Sequence, residues 1–442
     1  MNARQVIVRI CAQIDQNPAG MERIVDETLD RVKLDHRDKR FVFEIVCGIV
    51  RRRMTLDYII DSLLATAQLR NNATLRNILR IGLYQLAYMD RVPEHAAVNE
   101  SVNCAKNEPD TRALSGVVNG VLRKIVANKK LLTPDCSKLD LNDRLSIEHS
   151  HPRWLIERWM SNFGLSKTKR LLAFNNERPA TWLRRKIHDL SRLQFETEVR
   201  TICDQATGYL NLYYRLKKNV IPETLWVIRD GLCNVQAPSS GWVVALMEAK
   251  KGDKVLDLCS SPGGKTALLS ELVGDSGSVC AADYRWKRIA LTLDTVTRLK
   301  CSNVYPLVCD GAAPPFTGIF DKALVDAPCS ATGVLHRHPE ARWTRTPEDI
   351  ARLVATQKKL LDRAASMIGK GGSLVYATCS LEPEENHLQI HDFLATHKNF
   401  EHAGCGDDIP QTYVDNKGFL TITPFDHGMD GMFAARLRKN AD

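Results

Sequence analysis

The stretch VLDLCSSPGGKT (residues 255–266) decides the fold, because a short apolar strand pattern runs directly into a glycine turn and the start of a helix. Gly263 and Gly264 let the backbone approach a ligand closely. Lys265 and Thr266 open the next helix, whose amide groups favour a negative group such as a carboxylate. The spacing matches neither GxGxxG nor a P-loop, so it disfavours a nucleoside triphosphate as the ligand.

Four more short apolar runs follow, each bounded by Gly, Pro or Asp. They are SVCAAD (278–283), VYPLVCD (304–310), KALVDAP (322–328) and SLVYATC (373–379). Runs of this kind are typical of strands that are covered on both faces, as in a parallel sheet. The segments between them have helical patterns, so the C-terminal part is predicted to be a doubly wound α/β domain.

The clearest of the intervening helices is predicted in TPEDIARLVATQKKLLDRAASMIGKGG (346–372). Thr346 can cap its first turn, Pro347 suits the first helical position, and Asp349 can bond back to the cap. Gly369 and the Gly371-Gly372 pair are predicted to end the helix.

The rest of the chain divides by pattern into two further parts. Residues 1–135 repeat apolar residues at helical spacing and predict an all-α domain. A polar stretch over about 126–150 lacks clear periodicity and predicts a linker. Residues 145–240 start with the amphipathic helix pattern HPRWLIERWMSNFG and predict a small α/β module, and residues 241–442 hold the doubly wound domain.

Composition fits a soluble globular protein, with 44% hydrophobic and 26% charged residues in 442. No apolar run approaches the roughly 20 residues that cross a bilayer, and no secretion signal is visible, so we expect a cytoplasmic protein. Its 13 cysteines are then expected to be reduced. Packed, inert thiols are expected at Cys47, Cys203, Cys280 and Cys301. The net charge of +9 weakly favours a polyanionic partner.

Acidic residues follow the second and third runs at positions that suit a nucleoside. Asp283 lies 19 residues after Gly264, where a doubly wound fold places the acid that holds ribose hydroxyls. Asp310 could accept a hydrogen bond from an adenine amine. Each acid alone is more often a helix cap. Together with the glycine turn they predict a pocket for an adenosine with a carboxylate-bearing tail; S-adenosylmethionine fits, and a dinucleotide fits less well.

The last two runs end in Asp326, Cys329 and Cys379, which suit covalent chemistry on a pyrimidine. Carbon 5 of cytosine is a poor nucleophile, but a thiolate that adds to carbon 6 turns the ring into an enamine. An acid near N3, such as Asp326 in its protonated form, would assist that addition. A second thiol could assist release of the product, and these residues alone do not rank the two sulfurs.

The C-terminal half resembles the RNA cytosine-5 methyltransferases. The whole chain resembles the bacterial small-subunit ribosomal RNA enzymes of the RsmB (Fmu/Sun) type, in which a NusB-like helical domain precedes the methyltransferase. The resemblance is carried by DLCSSPGGKT (257–266), DAPCSATGVLHRHPE (326–340), TCSLEPEEN (378–386) and DGMFAARL (430–437). It implies an S-adenosylmethionine-dependent enzyme that methylates carbon 5 of a cytidine in small-subunit (16S) ribosomal RNA.

The resemblance also implies roles for single residues. Cys379 is implied to be the nucleophile and Cys329 to assist product release, the reverse of the order in the DNA cytosine methyltransferases. The implied cofactor-binding residues are Cys259, Ser260, Ser261, Pro262, Gly263, Gly264, Lys265, Asp283, Asp310 and Asp326. Two departures stand out: Ser260-Ser261 replaces two alanines, and Ala237 stands where an acid is common.

We expect a monomer with ribosomal RNA as partner, no metal and no membrane association. Because the reacting base must leave its stack, a loop or helix end in the RNA is the expected target. Phosphate contacts are assigned as a hypothesis to Arg51, Arg52, Arg53, Arg184 and Arg185. The alternatives are a transfer RNA cytosine-5 methyltransferase and a non-catalytic RNA-binding or antitermination protein.

Overall fold

The computed structural model describes residues 2–189, 191–217, 220, 222–315 and 319–441. The chain forms two compact units. The first comprises the residues up to Glu177 together with Leu335–Thr344, and the second comprises Arg178–Val334 and Arg345–Asp442. No helix in the described ranges is both long enough and apolar enough to cross a bilayer.

The first unit is helical, as the sequence predicts for residues 1–135, and it also takes in the helices up to residue 175. Its helices are α1 (Ala3–Gln16), α2 (Met21–Arg31), α3 (His36–Leu63), α4 (Ala67–Arg70), α5 (Ala73–Tyr88), α6 (Glu94–Asn107), α7 (Ser115–Ala127), α8 (Leu141–His149) and α9 (Arg153–Asn175). Apolar side chains from α1, α3, α5, α6 and α7 form one core. Burial of this apolar area is the main force that holds the helices together.

The second unit begins with a small module and continues into a large sheet. Its early elements are β1 (Trp182–Arg185), α10 (Arg192–Val199), β2 (Tyr213–Arg215), α11 (Trp226–Arg229), β3 (Cys233–Val235) and α12 (Pro238–Leu246). The next elements are β4 (Lys254–Asp257), α13 (Gly264–Val273), β5 (Ser278–Asp283), α14 (Trp286–Arg298), β6 (Val304–Val308) and β7 (Phe320–Asp326). After them come α15 (Ala341–Thr344), α16 (Pro347–Ser366), β8 (Ile368–Thr378), α17 (His387–Thr396), β9 (Phe400–His402), β10 (Leu420–Ile422), α18 (Pro424–His427) and β11 (Met432–Lys439).

Two sheets are present among the described residues of this unit. The small antiparallel sheet has the order β2-β1-β3. The large sheet has the order β10-β11-β8-β7-β4-β5-β6, with β9 also paired to β11. Strands β6, β5, β4, β7 and β8 are parallel, whereas β11 pairs with β8 in the antiparallel sense. The predicted doubly wound fold is therefore confirmed, because the chain order reverses at β4.

Two local predictions differ from the structure. Helix α16 has the predicted capping box of Thr346 and Asp349, but it ends at Ser366. The glycines at 369, 371 and 372 lie inside strand β8, where Gly371 has a φ of +74°. The predicted linker contains helix α8, which Asp140 caps by accepting a hydrogen bond from the Asp143 backbone N–H at 2.9 Å.

The segment Leu335–Thr344 belongs to the helical unit, although it lies between β7 and α16 in sequence. Its Arg342 side chain is fully buried. The guanidinium donates to the carbonyl oxygens of Arg51, Ser150 and Asn175 at 2.9–3.0 Å. A buried guanidinium needs acceptors for its N–H groups, and the ends of α8 and α9 supply two of them.

We predict that Arg342→Ala lowers the free energy of unfolding by about 3 kcal/mol, because it removes the guanidinium that donates to three buried carbonyl groups and opens a cavity. The matched control is Arg352→Ala, since Arg352 is 76% exposed and its loss should cost no more than about 0.5 kcal/mol. Urea denaturation followed by circular dichroism compares the two variants. Equal stability of both would contradict the role assigned to Arg342.

Candidate active site

The candidate site lies where the five parallel strands end. Parallel strands bring their carboxyl ends to one edge of the sheet, which is where doubly wound folds bind ligands. Register pairs Asp326 with Ala377 and Asp283 with Val308. The residues that follow these strands therefore share this edge.

The glycine turn connects β4 to α13. Gly263 has a φ of +96°, and a Cβ there would lie 3.0 Å from the Cα of Thr292. A side chain at 263 is thus opposed by both strain and crowding. The Gly263 N–H donates to the Ser260 carbonyl oxygen at 2.7 Å, which closes the turn. The Ser260 hydroxyl lies 3.4 Å from that of Thr292.

Asp283 is buried at the end of β5 and anchors the turn from the side. Its carboxylate accepts hydrogen bonds from the backbone N–H groups of Ser261 at 3.3 Å and Tyr284 at 2.8 Å. The exposed Arg288 guanidinium pairs with it at 3.0 Å. Asp310 is exposed and accepts from the Ala312 N–H at 2.9 Å, as a turn-capping acid does.

Lys265 and Asp326 form an ion pair at this edge. The Lys265 ammonium donates to the Asp326 carboxylate at 2.7 Å, and both side chains are largely buried. Burial alone would lower the pKa of Lys265, but the charge of Asp326 and its hydrogen bond, with a smaller contribution from Cys379, hold that pKa above its ordinary value. Lys265 thus remains protonated beside Asp326.

Asp257 was missed by the sequence analysis. It is fully buried at the end of β4, and one carboxylate oxygen accepts from the Thr266 hydroxyl at 2.7 Å. The other oxygen, Oδ1, is buried without a hydrogen-bond partner. Burial raises the pKa of Asp257 to about 7. A buried orphan carboxylate oxygen suggests a missing donor; its signal in the sequence is the acid that ends the first apolar run.

The two thiols converge. The Sγ atoms of Cys329 and Cys379 lie 3.1 Å apart. The Gly333 N–H donates to the Cys379 carbonyl oxygen at 2.9 Å, which ties the two loops together. A hydrogen bond to Cys379, together with burial, holds the pKa of the Cys329 thiol well above its ordinary value. Cys329 therefore keeps its proton at neutral pH, and either sulfur can be the donor in this contact.

The phosphate-contact hypothesis is wrong for Arg51, Arg184 and Arg185, because all three are buried. Arg184 donates to the buried Glu271 carboxylate at 2.8 Å. Arg51 donates to the His336 carbonyl oxygen at 3.0 Å. Guanidinium groups that are used in this way stabilise the fold and are not available to a phosphate.

Arg52 and Arg53 also have partners within the helical unit. The Arg52 guanidinium lies 5.0 Å from the centre of the Tyr88 ring, and burial lowers its pKa. Arg53 pairs with Asp15 at 3.0 Å. The hypothesis that these two bind phosphate stays a prediction.

An exposed basic and aromatic run directly after Asp283 was also missed. Residues 284–288, YRWKR, are all exposed, with Tyr284 at 65% and Trp286 at 64%. Large aromatic side chains with this exposure are unusual in a folded protein. Cations interleaved with aromatic rings suit contacts with a single-stranded nucleic acid.

No cluster of three or more His, Cys, Asp or Glu side chains that could hold a metal ion occurs in the part of the chain that the structure describes. Ala237, the other departure, precedes α12 as its N-cap and makes no side-chain cap hydrogen bond. An acid at this position would accept from the first turn of that helix.

Three family models match the chain. Residues 244–438 match the model described as 16S rRNA methyltransferase RsmB/F, and residues 1–127 match the NusB family. Residues 151–197 match the ferredoxin-like domain of RsmF/B-like methyltransferases.

Similar proteins extend over the full chain. The probable ribosomal RNA small subunit methyltransferase B of Synechocystis sp. is 34% identical over 99% of this chain and 100% of its own. The ribosomal RNA small subunit methyltransferase B of Photorhabdus laumondii is 32% identical over 99% of both chains.

Two solved structures are similar in fold. The crystal structure of PH0851 has a TM-score of 0.79 at 23% identity, over 99% of both chains. NSun6 from Pyrococcus horikoshii, solved with SFG, has a TM-score of 0.59 at 20% identity, over 66% of this chain and 99% of that one. At these identities the likeness establishes the fold alone.

A Rossmann-like sheet with a glycine turn at its ligand edge, preceded by a NusB domain, defines a methyltransferase of the RNA-modifying class. The chain belongs to the ribosomal RNA small subunit methyltransferase B family, whose members are S-adenosylmethionine-dependent enzymes.

We predict that Gly263→Ala weakens binding of S-adenosylmethionine at least tenfold, because the turn must move away from Thr292. Gly371→Ala is the matched control: its φ is also positive, but nothing lies within 4 Å of the added Cβ. Isothermal titration calorimetry measures both affinities. Equal weakening by the two variants would show that general strain, and not crowding at the turn, is responsible.

Proposed function

We propose that the protein transfers a methyl group from S-adenosylmethionine to carbon 5 of a cytidine in small-subunit ribosomal RNA, with Cys379 bound covalently to carbon 6 of the base. The observation that carries the proposal is the 3.1 Å approach of the Cys329 and Cys379 sulfurs at the edge of the sheet that also holds the glycine turn. A single pyrimidine can reach both sulfurs there.

The residues at this edge fit the methyl donor. The unpaired Oδ1 of Asp257 suits the ammonium group of the methyl donor. Gly263, which has no side chain, leaves room for the methionine part of the donor. Asp283 suits the ribose hydroxyls and Asp310 the adenine amine. The further residues assigned to the donor are Cys259, Ser260, Ser261, Pro262, Gly264, Lys265 and Asp326. When bound, S-adenosylmethionine supplies an electrophilic methyl group.

Cys379 is the nucleophile in this proposal. Its sulfur lies 3.1 Å from the Cys329 thiol, which can donate its S–H to it, and close enough to Lys265 to contribute to the raised pKa of that ammonium. Both groups favour a thiolate at Cys379. Attack forms a bond between this sulfur and carbon 6. The π electron pair of the C5–C6 double bond shifts toward carbon 5, which becomes the nucleophilic carbon of an enamine.

In this proposal Lys265 and Asp326 act on N3 of the base, across the ring from the carbon 6 that Cys379 attacks. A proton placed on N3 as the thiolate attacks keeps the ring neutral. This proton leaves the Lys265 ammonium and passes through the Asp326 carboxylate along their 2.7 Å hydrogen bond, so that Lys265 becomes a neutral amine. This division refines the simple picture of a protonated Asp326, since the structure pairs that carboxylate with a cation.

Cys329 acts after methylation. Its pKa is raised first by the hydrogen bond to Cys379, and that cause disappears once the Cys379 sulfur is bonded to carbon. Burial and the Glu385 charge still oppose ionisation, but loss of that hydrogen bond lowers the pKa of Cys329. Cys329 passes its proton to water, and its thiolate takes the proton from carbon 5. The C5–C6 double bond re-forms as the bond to sulfur breaks and its electron pair returns to Cys379. The proton on N3 goes back through Asp326 to the Lys265 amine, which restores the ion pair.

Ribosomal RNA as the substrate rests on the family and on the NusB match. The exposed run at residues 284–288 offers it cations and two aromatic rings. The test incubates the full chain with labelled methyl donor and, separately, with small-subunit RNA and transfer RNA, and maps the product. We expect 5-methylcytidine at one position in the ribosomal RNA; label in transfer RNA alone, or on another atom, would contradict the proposal.

We predict that Cys379→Ala abolishes turnover, because it removes the thiol that attacks carbon 6. Cys329→Ala should instead accumulate a covalent complex of protein and RNA, since release is impaired. Denaturing gel electrophoresis with labelled RNA detects the complex. Cys301→Ala is a control thiol that should behave as the wild type. Accumulation in Cys379→Ala would exchange the two roles.

A further inference from the structure

Glu385 is a fully buried carboxylate in the turn after β8. Its oxygens accept hydrogen bonds from the Ser330 backbone N–H at 2.9 Å, from the Ser330 hydroxyl and from the Ser380 hydroxyl. The Gln357 amide of α16 also donates to it at 3.0 Å. One side chain thus joins three segments of the unit.

These partners are the chain neighbours of the two thiols. Ser330 follows Cys329, and Ser380 follows Cys379. The two serine hydroxyls lie 3.0 Å apart, almost the same separation as that of the sulfurs. Glu385 therefore fixes both loops at positions one residue from the reacting atoms.

We propose that Glu385 is the positioning residue that holds the Cys329 and Cys379 loops together, so that both sulfurs meet on one base. Its importance for methylation rests on the proposed function, whereas its effect on the thiols does not. Glu385 does not touch the reacting atoms and acts through Ser330 and Ser380.

The negative charge of Glu385 has a consequence that a neutral side chain with the same hydrogen bonds would lack. Burying a carboxylate among neutral donors is costly, and a glutamine of the same shape could make several of these contacts. The negative charge, however, adds to the raised pKa of the Cys329 thiol. It helps to keep the proton on Cys329.

The other titratable groups near the thiols act from different elements. Tyr376 of β8 interacts electrostatically with Cys329 and with Glu385, and burial raises its pKa. Lys265 of α13 interacts with Cys379. Removing only the charge of Glu385 leaves these groups in place, so a change in thiol reactivity can be assigned to it.

The test compares Glu385→Gln with Glu384→Gln, the same substitution one residue earlier. The full chain is pulsed with iodoacetamide from pH 6 to pH 10, and mass spectrometry measures modification of Cys329 and Cys379 separately. In Glu385→Gln we expect Cys329 to be modified about tenfold faster at each pH in this range, because a neighbouring negative charge is lost and the thiolate fraction rises. Glu384→Gln should leave the rate for Cys329 unchanged.

Methylation gives the second readout. Glu385→Gln should lower kcat about 100-fold, because both carboxylate oxygens accept hydrogen bonds and the glutamine NH2 cannot accept, so one set of contacts is lost and the thiols shift. The KM for S-adenosylmethionine should be unchanged. Identical profiles and kcat in the two glutamine variants would overturn the proposal. An inactive wild type would refute the proposed function but leave the iodoacetamide result to decide the role of Glu385.

Should Glu385→Gln fail to bind the methyl donor, the double variant Ser330→Ala/Ser380→Ala tests the positioning role instead. It keeps the carboxylate and removes two of its hydrogen-bond donors. Mild oxidation with diamide joins Cys329 and Cys379 in a disulfide and reduces the diamide to its hydrazine. We expect this reaction to be at least tenfold slower in the double variant; a wild-type rate would overturn the proposal.

Discussion

The parallel pairing of β7 with β8 is the constraint on which the site depends. Asp326 lies beside Ala377 in the register, so the loops that follow both strands leave the sheet side by side. Cys329 and Cys379 are separated by 50 positions in sequence, yet their sulfurs lie 3.1 Å apart. A shift of register by one residue would turn one of these loops away from the other and separate the thiols.

Charge then distinguishes two chemically identical side chains. The Cys329 sulfur lies 3.1 Å from that of Cys379, and the charge of the Glu385 carboxylate adds to the raised pKa of the Cys329 thiol. Cys379 has the Lys265 ammonium in its neighbourhood. The proposed division of roles between the two cysteines therefore rests on their surroundings and not on the residue type, as is common where paired groups share a site.

The sequence predicted the elements that depend on local pattern. Strand ends such as Asp283, and the Thr346 capping box, follow from apolar runs and cap chemistry over a few residues. The sequence did not predict whether each arginine is buried or exposed, because that depends on partners far away in sequence. Arg184 is neutralised by Glu271, 87 positions later, and no local pattern distinguishes it from a surface cation. The acids at 257 and 385 were missed for the same reason, since their importance lies in burial.

The central claim is that a single base meets both sulfurs and that Cys379 makes the bond to it. RNA that carries 5-fluorocytidine at the target position tests this most directly, because fluorine on carbon 5 cannot leave as a proton does and the adduct persists. Digestion and mass spectrometry of the wild-type complex should locate the nucleotide on the peptide that contains Cys379. A nucleotide on the Cys329 peptide, or no adduct although the donor is bound, would contradict the account.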